Sequence, residues 1–177
     1  EFAGKGVSYC ATCDGFFFKN KPVAVIGGGD SAVREALYLQ KLGCRVTLIH
    51  RRDELRAERY LQRKLEDAGV TIRWNSVVKE IKGDKVVKSV VLDSNGVESE
   101  LSIAGLFVSI GEEPNSELAA KMGVALDANG YIITDKSQRT NLKRVYAAGD
   151  VTGGVRQVVV ACAEGAIAAL SAYNDLL

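Results

Sequence analysis

Residues 22 to 50 constrain this chain more than any others. A short apolar run, Pro22-Val-Ala-Val-Ile26, leads directly into Gly27-Gly28-Gly29. A stretch to about Leu42 follows, in which Ala32, Ala36, Leu39 and Leu42 recur at three- and four-residue steps, and then comes Arg45-Val-Thr-Leu-Ile49. The outer runs have strand length, and the middle stretch presents one apolar face at helical period. Gly43 supplies the helix stop. Strand, glycine turn, helix, strand is the βαβ unit of a dinucleotide fold, and it commits the chain to the α/β class.

The turn has the pattern Gly27-x-Gly29-x-x-Ala32. Gly27 allows the tight turn, Gly29 lets backbone approach a pyrophosphate, and Ala32 keeps helix and strand close. Asp30 and Ser31 sit at the helix N-terminus, whose N–H groups and dipole favour an anion, and are counted with them as cofactor-binding candidates. A structural strand-to-helix turn can use the same glycines, so the βαβ context carries the reading. About 20 residues further on, an NAD site has Asp or Glu at the end of the second strand. Here that strand ends in Ile49 and is followed by His50-Arg51-Arg52, with Arg56 one helical turn beyond. Guanidinium groups make charge-assisted bonds to a 2′-phosphate that a carboxylate would repel, so NADPH is expected over NADH. The competing reading is a solvated basic face paired with Asp53, Glu54 and Glu58.

Beyond this unit, the pattern predicts a helix from about Glu54 to Ala68 and a third strand at Val70–Trp74. Three antiparallel strands are expected over 77–81, 86–92 and 97–103, broken at Gly83-Asp84 and Asn95-Gly96, and a buried strand over 104–110. After Gly111 the character changes. Glu112-Glu113-Pro114-Asn115 is a polar turn, followed by a short helix near 116–122, strands near 131–134 and 145–148, and a small-residue helix over about 157–176. A domain boundary is placed near Gly111, giving residues 1–111 as a nucleotide-binding domain and 112–177 as a segment with no glycine-turn βαβ unit of its own. A fraction of 47% apolar and 25% charged residues fits a globular protein, and a formal net charge of +1 supplies no basic field for nucleic acid.

Of four cysteines, Cys10 and Cys13 stand in C-x-x-C spacing. Such neighbours can close a small-ring disulfide, and a helix starting near Cys10 would favour a thiolate. Half a zinc site and two inert thiols are the rival readings. Zinc needs a second pair, and Cys44 and Cys162 are far apart in sequence and read as ordinary buried residues, so no metal site is expected.

At this point the residues become recognisable. Gly-Val-Ser-Tyr-Cys-Ala-Thr-Cys-Asp-Gly (6 to 15), Val-Ile-Gly-Gly-Gly-Asp-Ser-Ala (25 to 32), His-Arg-Arg-Asp-Glu-Leu-Arg (50 to 56), Ile-Gly-Glu-Glu-Pro-Asn (110 to 115) and Val-Tyr-Ala-Ala-Gly-Asp (145 to 150) closely resemble the low-molecular-weight thioredoxin reductases. The resemblance implies a Rossmann-like NADPH domain with a three-stranded β-meander, joined to the C-terminal part of a split FAD domain. It implies electron flow from NADPH to FAD, then to a Cys10–Cys13 disulfide, then to a thioredoxin-like protein. Cys13 would face the flavin, Cys10 would attack the protein substrate, and Asp14 would protonate the departing thiolate. Ile110 and Gly111 would border the nucleotide. Gly149 and Asp150 match the family's second FAD motif, with Arg156, Gln157 and Val158 beside the flavin ring. The resemblance further implies a homodimer, hinges just before Gly6 and near Gly111, and an FAD half preceding Glu1, so that these 177 residues are expected to be a fragment.

No run of about 18 apolar residues and no secretory pattern is present, so a cytoplasmic protein without membrane attachment is expected. Two alternatives share these features: the flavoprotein subunit of an alkyl hydroperoxide reductase, and a nucleotide-binding module without catalysis.

Overall fold

The computed structural model describes residues 1–177, which form two compact units, Glu1–Gly111 and Glu112–Leu177. In the first unit a five-stranded sheet has the order β1-β8-β2-β3-β4, with every pairing parallel. Its strands are β1 (Val7–Ser8), β2 (Pro22–Gly27), β3 (Arg45–Ile49), β4 (Thr71–Arg73) and β8 (Gly105–Ser109). Helix α1 (Ala11–Asp14) is a single turn after β1. Helices α2 (Asp30–Lys41) and α3 (Arg59–Asp67) follow β2 and β3, and β5 (Ser76–Gly83), β6 (Val87–Ser94) and β7 (Val97–Ser102) make an antiparallel meander before β8. This is the Rossmann-like α/β class that the glycine-turn unit demanded.

Alternation along the central strand explains the layering. Val23 and Val25 point to one face, where they meet Ala32, Val33, Ala36 and Leu39 of α2. Ala24 points to the other, where Val87, Val90 and Leu92 of the meander cover it. A parallel strand buried on both faces needs an unbroken apolar run, and Pro22–Ile26 supplies it. The β6–β7 hairpin closes on Asn95 and Gly96, both at positive φ, with the Asp93 carboxylate accepting the Gly96 N–H at 2.7 Å.

Helix α3 begins at Arg59, five residues later than the pattern predicts. The reason is that the preceding N–H groups are committed elsewhere. Those of Arg56 and Ala57 both donate to the Gly28 carbonyl, at 2.8 and 3.1 Å, and that of Glu58 donates to the Asp30 carboxylate at 2.9 Å. The segment is therefore a loop stitched onto the glycine turn. Strand β1, absent from the sequence reading, has only two residues and too short a period to register.

The second unit contains α4 (Glu117–Lys121) and the 17-residue α5 (Val158–Asn174). The strands expected over 131–134 and 145–148 do not form. Each segment makes only an isolated bridge, Leu126 with Ile132 and Arg139 with Tyr146, because neither lies beside a strand that would extend the ladder. Cys162, expected to be buried, is exposed, since Ser171 is the one buried residue of α5. Cys44 is buried, and its thiol, pushed up by that burial, donates to the Phe18 carbonyl at 3.2 Å.

Candidate functional site

The topology reverses at β2. From it the chain runs outward through β3 and β4, then returns by the meander to β8 on the other side. In such sheets the crevice beyond the carboxyl ends of the strands at the switch point is where ligands bind. Here a cavity of about 340 Å³ opens there, lined by Gly27, Gly28, His50, Arg51, Arg56 and Ile110 among others.

The three glycines do three different jobs. Gly27, at φ +154°, has no room for a side chain: a Cβ would lie 2.3 Å from the Ser109 carbonyl oxygen and 2.5 Å from the Ala32 Cβ. Gly28, unassigned by the sequence reading, is filled from above, since a Cβ there would meet the His50 ring at 2.2 Å. Gly29 faces open space and forms the N-cap of α2, leaving the helix N-terminus accessible. Ala32 is fully buried between helix and strand.

His50 is buried, with its ring in the cavity lining. Its Nε2 donates to the Glu54 carbonyl at 2.9 Å, and its ring packs edge-on against Trp74. It shapes the crevice floor. Arg51 and Arg56 reach the cavity, whereas Arg52, though exposed, is not part of its lining. None of the three arginines enters an ion pair, so the pairing with Asp53, Glu54 and Glu58 that would have made this a neutralised face does not occur. Asp30 turns its carboxylate to the Glu58 N–H and lies 3.9 Å from Arg34, which ties the arginine loop to the glycine turn; Ser31 is exposed at the start of α2.

The second centre follows β1. Cys10 and Cys13 are joined as a disulfide at the start of α1, with Cys10 as N-cap and its sulfur accepting the Cys13 N–H at 3.2 Å. Cys13 is exposed and Cys10 half-buried. The Asp14 carboxylate accepts a 2.7 Å hydrogen bond from the hydroxyl of Ser8, a buried residue that sequence reasoning missed. Tyr9, Phe16 and Phe17 stand exposed around this corner.

The second unit presents one turn of interest. Gly149, at φ +80°, donates its N–H to Glu164 at 2.7 Å, and the Thr152 hydroxyl donates to the same carboxylate oxygen at 3.2 Å. This holds Asp150 out at the surface. Arg156 is engaged by Glu112 and the Tyr131 hydroxyl, each at 2.9 Å, while Val158 is exposed.

Comparison with known proteins identifies the family. The family model described as pyridine nucleotide-disulphide oxidoreductase matches residues 1–165. The chain belongs to the pyridine nucleotide-disulphide oxidoreductase family. Among its relatives in that family, the thioredoxin reductase of Peptoclostridium acidaminophilum is 49% identical over 97% of this chain and 58% of its own length. That of Listeria innocua is 47% identical over 98% of this chain and 56% of its own. The crystal structure of thioredoxin reductase from Streptococcus pyogenes superposes with a TM-score of 0.88 at 40% identity, covering 97% of this chain and 57% of that one. The chain thus spans a little over half the length of the relatives it matches. No helix is long and apolar enough to cross a membrane.

Proposed function

We propose that this chain carries the NADPH site and the redox disulfide of a thioredoxin reductase. The observation that carries the reading is that one compact unit holds both a crevice with two unpaired arginines and a bonded Cys-x-x-Cys pair beside a carboxyl group. The open face at Gly29 and the bare N-terminus of α2 suit a pyrophosphate, and Arg51 and Arg56 suit a 2′-phosphate. Ile110 lines the same crevice, and Gly111, the next residue, is not part of its lining. In the second unit, the braced turn at Gly149 presents the Asp150 carboxylate outward, which fits a hydroxyl-bearing portion of FAD, with Arg156, Gln157 and Val158 leading into α5 beside it.

When bound, NADPH would supply a hydride and FAD a two-electron relay between it and the disulfide. The chain's own residues do the rest. With two electrons and two protons the Cys10–Cys13 bond opens to a dithiol. The Cys10 thiolate attacks a disulfide of the protein substrate, and Asp14 protonates the sulfur that leaves. Cys13 then attacks Cys10, which restores the internal disulfide and releases the second substrate thiol. A thioredoxin-like protein as substrate, a homodimer and a cytoplasmic setting complete the reading, and rest on the likeness to thioredoxin reductases.

The test is cofactor discrimination. Replacing Arg51 and Arg56 by Gln should weaken NADPH binding by about tenfold or more per lost charged contact, with NADH binding little changed. Arg52→Gln should matter less, since Arg52 does not line the crevice. Equal losses for both dinucleotides would remove the 2′-phosphate site.

A further inference from the structure

Asp14 is half-buried in the same helical turn as the disulfide, and its carboxylate has one side-chain partner, the hydroxyl of Ser8 at 2.7 Å. Ser8 ends β1, a strand held in register by its pairing with Leu106–Phe107 of β8. Its side chain sits where three groups of the disulfide turn converge. The hydroxyl oxygen accepts the Cys10 N–H at 3.1 Å, and the Cys10 carbonyl oxygen lies 3.3 Å away as a second acceptor for the hydroxyl proton. At 5% exposure the group is out of reach of any protein substrate.

A serine hydroxyl has one proton to give and two lone pairs to fill. When Asp14 is ionised, the proton of Ser8 goes to the carboxylate. When Asp14 is protonated, its own O–H can donate to Ser8, whose proton then swings to the Cys10 carbonyl, while the Cys10 N–H bond stays in place. Both arrangements satisfy the buried hydroxyl. A proton donor that cycles between acid and carboxylate needs a neighbour of this kind, because a fixed N–H donor would favour only the ionised form and a fixed acceptor only the neutral one.

We propose that Ser8 is the positioning residue of the thiol–disulfide centre, holding the Asp14 carboxyl beside Cys10–Cys13 in both of its protonation states. The inference rests on the proposed role of Asp14. It connects a two-residue strand to the chemistry: β1 exists to bring Ser8 under the disulfide turn.

The experiment is a double-mutant cycle in the FAD-loaded holoenzyme, with oxidised thioredoxin as substrate and flavin absorbance confirming that each variant is loaded. Ser8→Ala should lower kcat by about tenfold and leave KM for thioredoxin unchanged, because the residue is buried. Ser8→Thr, which keeps the hydroxyl, should restore most of the rate. In an Asp14→Asn background, Ser8→Ala should cost nothing further. If Ser8→Ala fails to fold, comparing Ser8→Val with Ser8→Thr, which differ only in the hydroxyl, reads the same quantity. A parent-like kcat for the hydroxyl-free variant overturns the inference, as does an equal loss in the Asp14→Asn background, which would make Ser8 merely structural. An Asp14→Asn enzyme as fast as the parent would instead sink the reading of Asp14, and the inference with it.

Discussion

The two units of this chain are built on different terms. Every large, fully buried side chain belongs to the first unit, from Val23 and Leu39 to Leu92 and Phe107. In the second, only Val124 and Ile132 are buried apolar residues, and α5 exposes Val158, Val159, Ile167 and Leu170 along its length. A helix apolar all round draws its stability from what packs against it rather than from its own propensity. The first unit therefore holds its sites by its own core. The second holds Asp150 by a few polar ties at one turn.

Leu39 has no exposed surface and packs α2 onto the sheet, so Leu39→Ala should cost about 2–5 kcal/mol in a urea titration. The same truncation at Leu170, 64% exposed on α5, should stay within about 0.5 kcal/mol. Comparable losses would mean that the second unit has a core the burial pattern does not reveal.

Glycine substitutions separate stability from function. Gly27→Ala drives a Cβ into the Ser109 carbonyl, on backbone that cannot move without parting β2 from β8, and should destabilise by about 3 kcal/mol. Gly154→Ala, at φ +74° in open space, should cost only about 1–2 kcal/mol. Gly29→Ala is the informative third: with open space and an ordinary φ of −93°, it should leave the melting temperature unchanged while weakening NADPH binding measured by fluorescence titration. Unweakened binding would mean that no pyrophosphate approaches that backbone.

These contrasts also mark what could be read from the residues alone. The glycine-turn unit, the meander and the apolar face of α2 were legible because each is a local pattern with a fixed period, and the sheet that forms obeys it. The late start of α3 was not, because it depends on which acceptors the Gly28 carbonyl and Asp30 offer across the chain. The strands expected over 131–134 and 145–148 failed for the complementary reason, since a strand's existence is decided by its neighbour. At the sites, charge and spacing nominated Arg51, Arg52 and Arg56 alike, and only the fold distinguishes the two that line the crevice. Ser8 carried no signal: a serine in a two-residue strand gains its meaning from the carboxylate six residues on.

Acid should loosen the polar ties of the second unit slightly. Asp175, just beyond α5, accepts two hydrogen bonds from the Arg139 guanidinium, each 2.9 Å, and one from the Tyr146 hydroxyl at 2.6 Å. The guanidinium first, and the hydroxyl second, hold its carboxyl at about 2, below its ordinary 3.8. Because the folded group binds its proton less readily than the unfolded one, the contribution is fully present above pH 3.8 and fades as pH falls through about 2. Hydrogen exchange at the end of α5 should therefore quicken as pH falls from 4 to 2.5, relative to the same amides in Asp175→Asn, where that dependence should vanish. Amides of β2, whose protection rests on the apolar core, should show no difference between the two proteins. Added salt should shrink the effect, since the pair is exposed and screened. A response in β2 equal to that in α5 would show that the two units unfold as one, and the contrast between them would not survive it.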